Sequence, residues 1–205
     1  MKRIFLYLLL FIACQQNTST NILYSSEFDD IQYFGEDSFL LEGTEIPDSL
    51  KENKYDRLPS SYKEDVREPV WDLSKNSAGL SIRFLSNSSV ITAKWELLNN
   101  FSMDHMPDTG IKGIDLYFKN NNKWQYINTG RTAGFNNEYR LVENMNNKLR
   151  EYKIFLPLYD GIKKIEIGID YSSFIQKPKN SEKKPKKLYV TRKKKRETES
   201  RQGIA

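Results

Sequence analysis

An all-β fold, an antiparallel β-sandwich of jelly-roll-like type, is predicted by three observations. Apolar and polar residues alternate with a period of two in six segments between residues 80 and 169. These segments recur at intervals of roughly ten to fifteen residues, the spacing of short strands joined by turns. No segment carries a 3.6-residue period long enough to bridge two parallel strands. The one stretch with any helical character, Leu141 to Arg150, is Asn-rich and weak.

Taken in order, residues 1–14, MKRIFLYLLLFIAC, begin with the positive pair Lys2 and Arg3 and continue as an unbroken apolar run from Ile4 to Ala13. About ten apolar residues is half of what spans a bilayer, so the run reads as a signal-peptide core. The only cysteine, Cys14, closes it behind the small residue Ala13. This arrangement resembles a bacterial lipoprotein lipobox, with Phe11 bulkier than the leucine usual three places earlier. It implies lipidation at Cys14 and a place in the bacterial cell envelope, on the periplasmic side or at the cell surface. The membrane is then held by a lipid anchor alone. The mature chain has no other cysteine, hence no disulfide and no thiolate zinc site.

Residues 15–54 are polar and turn-rich, a tether followed by one early strand near Phe39, Leu40 and Leu41. The stretch 55–67 reads as a peripheral loop packing through Tyr55, Leu58 and Tyr62. Alternation starts near residue 70, with Val70 to Leu73 as a short first segment. Leu80, Ile82 and Phe84 form the next strand. Ile91, Ala93, Trp95 and Leu97 follow on one face, then Ile114, Leu116 and Phe118. Trp124 and Tyr126 lead to Gly130, Tyr152, Ile154 and Leu156 make another strand, and Ile165, Ile167 and Ile169 the last. Asn120–Asn122 is a turn, and Asp160-Gly161 reads as a hairpin signal. The sandwich is expected over residues 55–174.

Past Phe174 the composition changes to a Pro- and Lys-rich linker and a basic tail over residues 175–205, expected to be disordered. From Lys177 to the end there are twelve basic and three acidic residues, a net of +9, whereas residues 1–176 carry −4. A basic surplus confined to a tail argues against a nucleic-acid-binding face.

Several motifs in this body carry a specific resemblance. Gly113-Ile114-Asp115-Leu116-Tyr117 matches a G-x-D-L-Y signature. It is joined in order by WDLSKNSAG at 71–79, KWEL at 94–97, HMPDTG at 105–110 and LPLYDG at 156–161. Together, over roughly residues 55–172, they resemble the β-sandwich domain at the N-terminus of SGNH-hydrolase-type esterases, in which a catalytic α/β domain follows directly. The resemblance implies a carbohydrate-ester setting, with acetylated polysaccharide as the substrate of the full protein and a polysaccharide as the ligand expected for this chain.

The residues themselves suggest local roles. Gly113 is suited to a bulge or turn at a strand's start. Asp115 lies opposite Ile114 and Leu116, either solvated or anchoring a neighbouring loop. Trp71 and Trp124 are candidate sugar-stacking rings or inter-domain contacts, whereas Trp95 shares its face with core residues. His105, the only histidine, is expected on a loop fixed by Pro107 and Gly110, facing whatever follows the linker. A lone histidine with no cysteine builds no zinc site. Neither metal nor cofactor is called for.

An SGNH esterase also needs a nucleophilic Ser, a His base and an Asp partner. The resemblance implies a Tyr-Gly-Thr-Ser segment soon after the linker. The chain has Tyr189, Val190, Thr191 and Arg192 there, and no D-x-x-H follows. No catalytic residue is therefore assigned. The expectation is an accessory domain truncated before its missing SGNH catalytic domain and inactive alone. A frameshift across the Lys-rich run and a genuine basic tail are both open. The alternatives are a stand-alone carbohydrate-binding envelope lipoprotein and a remnant without independent function.

Overall fold

The computed structural model describes residues 30–179, so Cys14, the apolar leader and most of the basic tail lie outside the described residues. Numbered in chain order, the strands are β1 (Ile31–Phe34), β2 (Leu40–Glu42), β3 (Ser81–Ser86), β4 (Ile91–Leu97), β5 (Ile114–Asn120), β6 (Lys123–Gly130), β7 (Asn136–Val142), β8 (Arg150–Phe155), β9 (Ile162–Asp170) and β10 (Ile175–Gln176). They form two sheets, and every pairing is antiparallel. The first sheet runs β1-β9-β4-β7; the second runs β10-β3-β8-β5-β6, with β2 also paired to β3. This is the predicted sandwich.

The alternation read from sequence is what closes it. Ile82, Phe84, Ile114, Leu116, Tyr152 and Ile154 point inward from the second sheet. Ile91, Ala93, Trp95, Leu97, Leu141 and the isoleucines 165, 167 and 169 meet them from the first. All are buried, and truncating any of the larger ones to alanine removes about 2–5 kcal/mol. Trp95 is thus core, as its face predicts.

Four local readings change. The sandwich starts before residue 55, because β1 pairs with β9 from Ile31↔Asp170 and β2 pairs with β3 from Leu40↔Arg83. Val70 to Leu73 belongs not to a strand but to helix α1 (Glu68–Ser74), which has a proline in its first turn. The weakly helical stretch after Leu141 holds no helix; its start is the end of β7. In β7 the inward position Asn137 is polar because its amide locks the preceding loop, accepting from Ala133 N–H and donating to Gly134 O.

The fourth change is at Asp160-Gly161, which is no hairpin. β8 and β9 lie in different sheets, and residues 156–161 carry the chain across. Asp160 is fully buried and accepts from the backbone N–H groups of Asn99, Asn100 and Gly161 at 3.0, 2.8 and 2.7 Å. Gly161 is required by closeness, since a Cβ there would lie 2.5 Å from Lys75 O. The Asn120–Asn122 turn stands as read: Asn121 and Asn122 take φ of 48° and 62°, closing the β5–β6 hairpin in a left-handed conformation that asparagine tolerates.

Candidate functional site

The G-x-D-L-Y segment occupies the start of β5, and its alternation splits it between two environments. Ile114 and Leu116 are in the core, while Gly113, Asp115 and Tyr117 line an open groove of about 760 Å³ on the outer side of the second sheet. Helix α2 (Asp108–Lys112) brings Thr109 and Gly110 to one wall, together with Pro107 ahead of it. The crossover supplies Leu156 and Leu158, and β6 with its exit supplies Tyr126, Asn128, Thr129 and Arg131. Gly79 closes the rim.

Gly113 owes its identity to this packing and not to a bulge. Its φ of −71° suits any residue, but an added Cβ would sit 2.4 Å from Thr109 O and 3.0 Å from Gly130 O. The irregularity in the β5–β6 ladder lies further on, between Leu116 and Tyr117. That shift sets Tyr117 opposite Tyr126 and leaves Asp115 opposite Thr129.

Asp115 is an anchor within the groove. Thr129 Oγ1 donates to its Oδ1 at 2.5 Å and lies 2.9 Å from Tyr126 Oη. A carboxylate only accepts, so the threonine's one proton goes to Asp115 and Tyr126 donates to the threonine. Tyr117 packs edge-on against both Tyr126 and Phe155, with centroids 5.5 and 5.3 Å apart. Tyr126 is 54% exposed, Leu158 55% and Phe155 39%, so the groove has a wide apolar rim.

Beyond the aromatic cluster the same face carries an ion-pair ladder across four strands. Arg83 Nε donates to Glu42 at 2.7 Å, and Nη1 donates to Glu151. Lys119 reaches Glu151 at 2.9 Å, and Lys153 reaches Glu42 at 2.8 Å. Burial pushes both glutamates up, but the cations outweigh it. Lys153 and Arg83 hold Glu42 below the ordinary carboxylate range, and Arg83 and Lys119 do the same for Glu151.

The other residues singled out from sequence fall elsewhere. Trp71, on α1, is buried with Lys75 Nζ 4.2 Å above its ring, so it is a packing residue and offers no open platform. Trp124 is half-buried beside the ladder, with Lys153 Nζ 4.7 Å from its ring. His105 projects from an exposed loop, its Nδ1 3.2 Å from Asp104 Oδ1, and is not among the groove's lining residues, although Pro107 and Gly110 of the same motif are. The structure brings Gly113, Asp115 and Tyr117 together and leaves the tryptophans and the histidine outside.

Tyr126, Phe155, Asn128, Thr129, Arg131 and Leu158 were missed in the sequence. Tyr126 was readable as the outward partner of Trp124 two residues away. The others depended on the β5–β6 register and on where the crossover lands.

The fold and groove define an antiparallel β-sandwich domain with an exposed, apolar-rimmed groove on the outer side of its second sheet. The family model for the GxDLY domain, the N-terminus of SGNH-hydrolase-type esterases, matches residues 31–175, and the chain belongs to this family. Among solved structures, a Bacteroides ovatus protein provisionally described as a GDSL-like lipase shares 35% identity, with a TM-score of 0.68 over 73% of this chain and 44% of its own. A salicylyl-acyltransferase, SsfX3 from a tetracycline biosynthetic pathway, shares the fold at 11% identity and a TM-score of 0.54, over 74% of this chain and 43% of its own. The chain therefore spans less than half the length of these structures. No significant match is found among curated proteins.

Proposed function

We propose that this chain serves as the accessory β-sandwich of an SGNH-type carbohydrate esterase, with the aliphatic side of its groove, around Pro107, Leu156 and Leu158, packing against the catalytic domain. The observation that carries this reading is convergence. Gly79, Pro107, Thr109, Gly110, the outward residues of the G-x-D-L-Y strand and Leu158 come from four motif segments in three separate regions of the chain, residues 71–79, 105–117 and 156–161, and all meet at one groove. These segments also carry the family resemblance. The fifth, Lys94 to Leu97, lies in β4, where Trp95 and Leu97 serve the core. A rim with large exposed apolar side chains suits contact with another protein surface.

Hydrolysis is assigned to the catalytic domain. The sandwich's single histidine has Asp104 as its partner and, among the described residues, no serine hydroxyl within hydrogen-bonding reach. Lipid attachment at Cys14 would place the protein on the cell envelope; Cys14→Ser should then move it from the membrane fraction to the soluble one.

The test is addition in trans. The purified chain, mixed with an SGNH catalytic domain of this family, should raise its rate on acetylated xylan, and Leu158→Asp should remove the gain while leaving the melting temperature unchanged. Absence of both rate gain and measurable association would refute the proposal. So would turnover of p-nitrophenyl acetate by the chain alone that His105→Ala abolishes.

A further inference from the structure

The groove has two unlike halves. Around Pro107, Leu156 and Leu158 it is aliphatic, but over β5, β6 and β8 it is built from aromatic rings around polar groups. An exposed tyrosine ring is normally free to rotate. Tyr126 is not, because its hydroxyl is tied through Thr129 to Asp115 and Tyr117 braces it edge-on. Tyr117 braces Phe155 in the same way. These rings are ordered before any ligand arrives, so a ligand stacking on them meets little further entropic cost.

The polar groups are as telling. Asp115 uses Oδ1 for Thr129, and its Oδ2 has no partner among the described residues. Arg131, exposed at the same groove, has neither an ion pair nor a hydrogen bond among the described residues. A free carboxylate oxygen accepts and a guanidinium donates, and a hydroxyl group does both. The Asp115 carboxylate disfavours phosphorylated ligands, because Arg131 is the one cation among the described residues that line the groove, with Lys153 standing 5.8 Å from the Phe155 ring at its edge. A neutral polyol with an apolar C–H face satisfies rings and polar groups together. The groove's volume of about 760 Å³ is that of an ordinary small-molecule site.

We infer that this half of the groove binds a pyranoside, its C–H face against Tyr126 and Phe155 and its hydroxyls toward Asp115 Oδ2 and the Arg131 guanidinium. The inference deepens the accessory-domain reading by naming the ligand of its groove, yet ligand binding is measurable without the catalytic domain.

Calorimetric titration of the full chain with xylohexaose, cellohexaose and mannohexaose tests it. At least one should bind with a Kd of about 1 mM or tighter. Tyr126→Ala should weaken that binding about tenfold, the loss of one stacked ring. Thr129→Val, which frees the Tyr126 ring, should weaken it less, with the circular dichroism spectrum of the wild type. Trp124→Ala, outside the groove, should leave it unchanged. Failure of all three oligosaccharides to bind, or loss of binding in Trp124→Ala but not in Tyr126→Ala, overturns the inference. Oligosaccharide binding without any effect on the catalytic domain would instead sink the accessory reading and leave this one standing.

Discussion

Asp115 and Tyr126, on neighbouring strands, are joined through one hydroxyl: Thr129 Oγ1 gives its proton to Asp115 and receives that of Tyr126. The motif aspartate, itself a lining residue of the groove, thus reaches the Tyr126 ring at one remove, by fixing the side chain that fixes that ring. A shared hydroxyl makes the two hydrogen bonds interdependent. Thr129→Val and Tyr126→Phe should each cost about 1 kcal/mol in urea denaturation, and the double variant little more than Thr129→Val alone. Strict additivity of the two would show that the relay is not formed in solution.

Gly113 should be among the least replaceable positions of the motif. An alanine methyl there meets two carbonyl oxygens, Thr109 O at 2.4 Å and Gly130 O at 3.0 Å, and no side-chain rotation relieves a backbone contact. Gly113→Ala is expected to lose about 2 kcal/mol and to displace α2, whose Thr109 and Gly110 form one groove wall. Gly134→Ala, where an added Cβ meets nothing within 4 Å, is the matched control and should stay within about 0.5 kcal/mol of wild type. Equal melting temperatures for the two variants would contradict the steric account.

Asp160 should matter through the groups it satisfies. Its carboxylate takes three backbone N–H donors in a fully buried corner and also the Asn99 side-chain amide at 3.3 Å. Asp160→Ala leaves those donors without an acceptor and should cost about 3 kcal/mol, with Asp160→Asn intermediate because its amide keeps one oxygen. Denaturant midpoints at fixed slope check this. A loss under about 1 kcal/mol for the alanine variant would mean that water replaces the carboxylate.

Much of this architecture is legible in the sequence, and what escapes has physical reasons. Ile165, Ile167 and Ile169 alternate cleanly because one face of β9 meets the core. The corresponding signal in β7 is masked by Asn137, whose inward amide serves the loop before it. The helix at residues 68–74 is too short to show a period, so its apolar residues pass for a strand. The groove is harder still. Asp115 is visibly outward, but Thr129 faces it only because the β5–β6 ladder shifts register between Leu116 and Tyr117. Leu158 arrives through a sheet-to-sheet crossover that a DG pair makes look like a hairpin.

The ion-pair ladder beside the groove gives the fold a pH dependence of definite sign. Glu42 and Glu151 have lower pKa values folded than unfolded, because Lys153, Arg83 and Lys119 outweigh the effect of burial. A depressed carboxylate contributes its full stability above its unfolded pKa, near 4.3, and loses it as pH falls through the lower folded value. Asp170 adds in the same direction: burial raises its pKa, but the hydroxyls of Ser172 and Ser88 and the Ser89 N–H, all donating to its carboxylate, lower it further. Stability measured by urea denaturation should therefore be flat from about pH 7 to pH 6 and fall progressively below about pH 5. In the Glu42→Gln, Glu151→Gln double variant the acid slope should be shallower but not flat, since Asp170 remains. That variant should also be less stable at neutral pH, because Arg83 stays buried without a carboxylate partner. An unchanged acid slope in the double variant would assign the pH dependence to carboxylates outside the ladder.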